Sequence, residues 1–128
     1  MLTSQNFGSY VTGVAFHPTK NLVASCSYDK SVKLWNADTG AELWTVNVDG
    51  RVNSVAFSPD TTLAAGLGAP SKSVLIFDAQ SGEIKSSLNV GSYVWSVQFS
   101  PNGDTIAAGC NNGTVQIIDV ATAEVKRP

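Results

Sequence analysis

The chain has little of what most enzyme chemistry requires. It holds one histidine, one methionine and two cysteines in 128 residues, whereas hydrolytic catalysis needs a nucleophile, a base and an orienting acid brought together. No catalytic residue is expected, and no cofactor or metal. Charge is also scarce: eight Lys and Arg stand against ten Asp and Glu, a net charge of -2, with no run of one sign. Clustered cations dominate binding to a phosphate backbone, so nucleic acid is not an expected partner. No apolar run approaches the roughly twenty residues that span a bilayer, and residues Met1 to Gly8 lack the basic and apolar segments of a secretion signal. Neither a membrane partner nor secretion is expected. Cys26 and Cys110 are too few and too far apart for a disulfide framework or a metal site, which fits a reducing, intracellular setting, cytoplasmic rather than nuclear.

What the chain does have is apolar residues, 43% of the total, in a pattern that repeats. Phe16-His17-Pro18, Phe57-Ser58-Pro59 and Phe99-Ser100-Pro101 recur at intervals of 41 and 42 residues. Each is preceded by a Val pair: Val11 and Val14, Val52 and Val55, Val94 and Val97. Nineteen or twenty residues after each Phe stands a bulky apolar residue (Trp35, Phe77 or Ile118), followed by Asn36, Asp78 or Asp119 and then a turn at Thr39-Gly40, Ser81-Gly82 or Thr122-Ala123. The segments between are short, rich in Val, Ile, Phe and Trp, and bounded by Pro, Gly, Asn, Asp and Ser, which is strand and turn chemistry. The first unit predicts strands over Tyr10–His17, Leu22–Ser27, Ser31–Asn36 and Glu42–Val48, with equivalent sets after Arg51 and Tyr93. Each unit is thus a four-stranded antiparallel meander, and the units run over about 8–49, 50–90 and 91–128.

The second strand of each unit is small in side-chain volume: Val23-Ala24-Ser25, Ala64-Ala65-Gly66 and Ala107-Ala108-Gly109. Small residues let neighbouring sheets approach closely. Counting along the repeat sets Cys26 and Cys110 opposite each other and opposite Leu67, as buried thiols in an apolar position. His17 takes the place of Ser58 and Ser100 in the Phe-x-Pro turn, which makes it a turn variant and not a base. Gly66-Leu67-Gly68-Ala69-Pro70 begins like a phosphate loop but no helix follows, so a one-residue insertion at a strand end is the simpler account. Asn112-Gly113-Thr114 matches a glycosylation sequon and, without a secretory signal, stands as a tight turn. Trp44, on an outer strand, is expected to pack at the sheet edge.

The period, the four strands, the Phe-x-Pro turn, the Trp35-Asn36 end of the third strand and the Thr-Gly turn together resemble the WD-repeat β-propeller family. The signature positions are Phe16, Pro18, Asp29 and Trp35, then Phe57, Pro59, Phe77 and Asp78, then Phe99, Pro101, Ile118 and Asp119. Family members commonly carry Gly-His before the first strand as part of a Ser/Thr, His, Asp and Trp hydrogen-bond network. Here Gly8-Ser9, Asp49-Gly50 and Gly91-Ser92 stand there, and the network Asp is matched only by Asp29, with Ser71 and Asn112 at the related sites. The resemblance therefore implies blades that rest more on apolar packing than on buried polar bonds. It also implies that repeats and blades are offset by one strand, with Leu2 to Phe7 and Ala123 to Arg127 as outer strands.

In such a family the fold is all-β, a single partial propeller over residues 1–128 whose ring is incomplete, since propellers close with about four to eight blades. Positions that the repeat leaves free flank the leading Val: Tyr10 and Thr12, Arg51 and Asn53, Tyr93 and Trp95. The resemblance places them near the mouth of the central channel, where members often hold peptides or partner proteins, and Tyr, Trp and Arg are interface-prone types. The implied function is a non-catalytic protein-interaction scaffold with a protein or peptide partner. Two other readings stand beside it: a self-assembling module in which two chains form a six-bladed ring as a homo-oligomer, and an accessory propeller piece of a larger multidomain protein or enzyme.

Overall fold

Short β-branched and aromatic segments separated by turn residues give a chain of strands, and a computed structural model, which describes residues 9–126, contains twelve of them and no helix among those residues. In order they are β1 (Val11–Phe16), β2 (Leu22–Ser27), β3 (Ser31–Asn36), β4 (Glu42–Asn47), β5 (Val52–Phe57), β6 (Thr62–Leu67), β7 (Ser73–Asp78), β8 (Ile84–Asn89), β9 (Val94–Phe99), β10 (Thr105–Cys110), β11 (Val115–Asp119) and β12 (Glu124–Val125). They form three four-stranded antiparallel sheets, β1 to β4, β5 to β8 and β9 to β12, each a simple meander. The expected strands over Leu22–Ser27 and Ser31–Asn36 match β2 and β3 residue for residue. Leu2 to Phe7 and Arg127 lie outside the described residues. Among the described residues no helix is long and apolar enough to cross a membrane.

The sheets stack as blades, with β5 against β1 and β2 and β9 against β5 and β6. Period-two alternation sends one set of side chains of each blade forward and the other back. Val32 and Leu34 of blade one meet Val52, Val55, Phe57, Leu75 and Phe77 of blade two in one core. Val74 and Ile76 of blade two meet Val94, Val97, Ile106 and Ile118 of blade three in a second. Burying a Val, Leu, Ile or Phe contributes about 1.5–3 kcal/mol, so these two seams supply most of the cohesion.

The turns explain the polar signature residues. Asn36 Oδ1 accepts the N–H groups of Asp38 and Thr39 at 2.8 and 3.1 Å, Asp78 Oδ1 accepts that of Gln80 at 2.9 Å, and Asp119 Oδ1 accepts that of Thr122 at 3.0 Å. Each side chain substitutes for a missing backbone partner, as Asn and Asp do in turns. Gly40 and Gly82 then take positive φ of 76° and 78°, and Ala123 is held at φ 55° in the third unit, a conformation that disfavours a Cβ by about 1–2 kcal/mol. His17 is a turn residue too: its Nδ1 accepts the N–H groups of Thr19 and Lys20 at 3.1 and 3.0 Å, as Ser58 and Ser100 accept those of Thr62 and Thr105. Because Nδ1 accepts, Nε2 carries the proton and donates to the Asp60 carbonyl of blade two. The hydroxyl of Ser58, bonded to the Asp60 carboxylate, holds that group below its ordinary range.

Two expectations are corrected. Cys26 pairs with Gly13, as Gly66 pairs with Ser54 and Gly109 with Ser96, whereas Cys110 pairs with Val94 as Leu67 does with Val52. The two cysteines are therefore not equivalent. The turns after β1 and β9 are equal in length, so Cys26, ten residues after Phe16, and Cys110, eleven after Phe99, stand one step apart and face opposite ways, while the turn after β5 is one residue shorter and brings Leu67, ten after Phe57, level with Cys110. Both are nonetheless buried free thiols, one in each core, and burial pushes the Cys26 thiol up to about 11. Trp44, expected at the sheet edge, instead crosses to blade two. Its ring stacks on Phe77 at 6.1 Å and 18°, and its Nε1 donates to the Ala79 carbonyl at 2.8 Å. Gly82 makes room, since a Cβ there would lie 3.0 Å from the indole.

The polar network is reduced to fragments. Trp35 Nε1 donates to Ser25 Oγ at 2.8 Å inside blade one. Asp29 accepts from the Ser31 hydroxyl within the β2–β3 turn. Phe77 and Ile118, at the Trp35 position, have no polar atom with which to continue the pattern.

Candidate functional site

The first strand of every blade carries a β-bulge at the same place. In β1 the register steps from Val11 to Gly13, in β5 from Val52 to Ser54, and in β9 from Val94 to Ser96. Thr12, Asn53 and Trp95 are the extra residues. A bulge leaves one residue out of the ladder and re-aims its side chain, which is why bulges gather at functional rims. These are three of the six free positions singled out from the repeat, and the other three, Tyr10, Arg51 and Tyr93, immediately precede the leading Val.

The bulge residues do different things. The Thr12 hydroxyl donates to the Val52 carbonyl of blade two, and Asn53 Nδ2 donates to the Val94 carbonyl of blade three at 2.8 Å. Both are half-buried bridges from one blade to the leading Val of the next. Trp95 is more than half exposed, at 54%, and its Nε1 turns back to Asn111 Oδ1 at 2.9 Å. Asn53→Ala should lower stability by about 1 kcal/mol, the worth of one such bond, as read from a urea midpoint.

Around the bulges of blades two and three lies a cleft of about 90 Å³ lined by Tyr28, Arg51, Asn53, Gly68, Ala69, Tyr93 and Trp95. Four of the six candidates thus share one hollow. Tyr10 stands apart from it, exposed and edge-on to Tyr28 with centroids 6.1 Å apart, and Thr12 does not line it. The Arg51 guanidinium sits over the Tyr28 ring at 5.2 Å, and the Lys72 ammonium over Tyr93 at 5.7 Å. Such cation–aromatic pairs are worth about 0.5–1 kcal/mol at exposed sites and fix the direction of the charge. Gly68 keeps the floor open, because a Cβ there would lie 2.7 Å from Asn53 Nδ2.

Tyr28 and Lys72 were not among the candidates from sequence. Tyr28 occupies the place of Gly68 and Asn111, each donating its backbone N–H to the residue before a leading Val. An aromatic at a position where the sister units have Gly and Asn was the available signal. The Gly66 to Pro70 segment, an insertion by sequence, supplies one wall of the cleft. With planar aromatic walls and the Arg51 guanidinium in its lining, the hollow suits a chain segment bearing a carboxylate. Among the described residues no group of three or more His, Cys, Asp and Glu is placed to hold a metal.

Similar proteins carry the same repeat within much longer chains. Elongator complex protein 2 of Schizosaccharomyces pombe is 39% identical over 57 residues, 44% of this chain and 7% of that protein. A 77 kDa echinoderm microtubule-associated protein of Strongylocentrotus purpuratus is 32% identical over 53 residues, 41% of this chain and 8% of that protein. A coronin-like protein of Saccharomyces cerevisiae is 44% identical over 48 residues, 37% and 7% respectively. The matches span less than a tenth of these relatives' length. The family model described as "WD domain, G-beta repeat" matches residues 2–36 and 82–119, more than half of the chain. Its second match runs from before β8 to the end of β11, so the repeat crosses from one blade into the next, offset by one strand. On these matches and the three meander blades, the chain belongs to the WD-repeat family.

Proposed function

We propose that residues 1–128 act as a single partial propeller, a non-catalytic scaffold that holds an acidic peptide segment of a partner protein in the cleft of Arg51, Tyr93 and Trp95. WD-repeat proteins generally act as protein-interaction scaffolds. The observation that carries the finer reading is the β9 bulge, which leaves Trp95 largely exposed beside Arg51 and Tyr93. Trp, Tyr and Arg dominate interface energetics, and a guanidinium pairs with a carboxylate through parallel N–H donors. No hydrogen bond or ion pair engages the Arg51 guanidinium among the described residues, which leaves those donors for a ligand. A framework of three sheets holds the strand ends rigidly, so little ordering cost falls on the scaffold when a peptide docks.

Selection of a random-peptide phage library on the immobilised chain tests this. Acidic peptides should be enriched, and both Trp95→Ala and Arg51→Glu should weaken them at least about tenfold without moving the urea midpoint. Peptides without acidic residues, or binding indifferent to both changes, would sink the reading. A second reading, an accessory piece of a larger protein, is favoured by the small fraction of each relative that the matches cover.

A further inference from the structure

The stack of three blades ends in two apolar faces, and the repeat shows what each would pack against. On blade one, Val11, Val14 and Phe16 are 54%, 67% and 74% exposed, while their counterparts Val52, Val55 and Phe57 are 0%, 6% and 8% exposed against blade one. On blade three, Val115 and Ile117 are 69% and 39% exposed, while Val32 and Leu34 at the same positions of blade one are 0% and 2% exposed against blade two. The glycines show the same asymmetry. A Cβ on Gly66 would lie 2.6 Å from Val94 Cγ1 and 3.1 Å from Val97 Cγ1 of the next blade, but one on Gly109, its counterpart, meets nothing within 4 Å.

The open face of blade one therefore has the side chains that fill a blade seam from one side. The open face of blade three has those that fill it from the other. Lys33 does not spoil the first: it stands where Leu75 and Gln116 stand in the other blades, but its ammonium is tied to Glu42 at 3.0 Å and lies 5.9 Å from the Trp35 ring.

We propose that these faces take each other between two copies of the chain: Val11, Val14 and Phe16 of each copy pack on Ala107, Gly109, Val115 and Ile117 of the other. Both seams of the resulting ring repeat the packing that already occurs twice within the chain. Head-to-tail contacts close a ring only at a permitted blade number, and among multiples of three only six lies within the usual four to eight. Two copies are therefore the closed assembly.

Light scattering on the 128-residue chain, with charge-swapped variants, tests this. The chain should run at twice its 13.4 kDa. Val14→Glu and Val115→Lys, both at exposed sites, should each halve that mass while keeping the strand signal in circular dichroism and the urea midpoint of the single chain. Mixing the two variants should restore the doubled mass, because one seam then sets Glu against Lys and the other is unchanged. A wild-type chain that stays at 13.4 kDa at high concentration overturns the proposal and assigns the faces to other polypeptide. So does a dimer that only one variant disrupts, which would pack like face to like, a mixture that stays dissociated, or an assembly larger than two.

Discussion

Phe77→Ala should remove about 3–5 kcal/mol of stability, the usual cost of truncating a buried aromatic, from a total of about 5–15 kcal/mol for a domain. Phe77 is fully buried at the seam of blades one and two, in the core shared with Val52, Val55, Phe57, Leu63 and Leu75. Its ring is also the surface on which Trp44 stacks, so truncation opens a cavity and uncouples β4 from the next blade. The two effects fall on the same contact and reinforce one another. Urea denaturation should show the midpoint falling in proportion, with Trp44→Phe as the milder companion: the stack is kept and the bond to the Ala79 carbonyl is lost, at about 1 kcal/mol. An unchanged midpoint for Phe77→Ala would mean that the blades do not depend on this seam.

Gly66→Ala, a change of one methyl group, should cost about 1–3 kcal/mol by overpacking. The new Cβ would come within 2.6 Å of Val94 Cγ1, and a β-branched side chain fixed in a strand has few other rotamers to adopt. Blade three must then move away from blade two, which loosens Val97, Ile106 and Ile118 together. Cys26 holds the same position in blade one and is accommodated there, so the demand for glycine belongs to the second seam alone. Gly109→Ala is the control: with open space around the site, the single chain should fold with no such clash. With both changes made in the single-chain Val14→Glu background, equal losses at the two positions would show that backbone freedom, and not the approach of blade three, sets the requirement.

Much of the fold was legible in the sequence. Strand ends follow from turn residues that act locally: Asn36, Asp78 and Asp119 accept nearby N–H groups, and Gly40 and Gly82 adopt a left-handed conformation without a Cβ penalty. The match of β2 and β3 to expectation reflects that locality. The equivalence of the cysteines was misjudged because the two differ by a single step along the second strand, and the shorter turn after β5 moves Leu67 by that same step; only the cross-strand register separates the three. Trp44 was misplaced for a related reason: nothing in an outer strand's own residues says whether a neighbouring sheet lies within reach.

The candidate site divides in the same way. The repeat isolated Arg51, Tyr93 and Trp95 as positions outside the framework, and these do share a cleft. It also isolated Thr12 and Asn53, whose bonds to the next blade are consequences of the bulge, and it passed over Tyr28, which reaches Arg51 only through the stacking of blades.

By itself, then, the sequence determined the three meanders, their turns and the alternation of apolar residues, all of which depend on neighbours a few positions away. Only the tertiary structure decided which copies of that pattern are buried. Val14 and Val55 occupy the same place in equivalent strands, yet one is exposed and the other is not, because a sheet face is covered only if another sheet stacks on it.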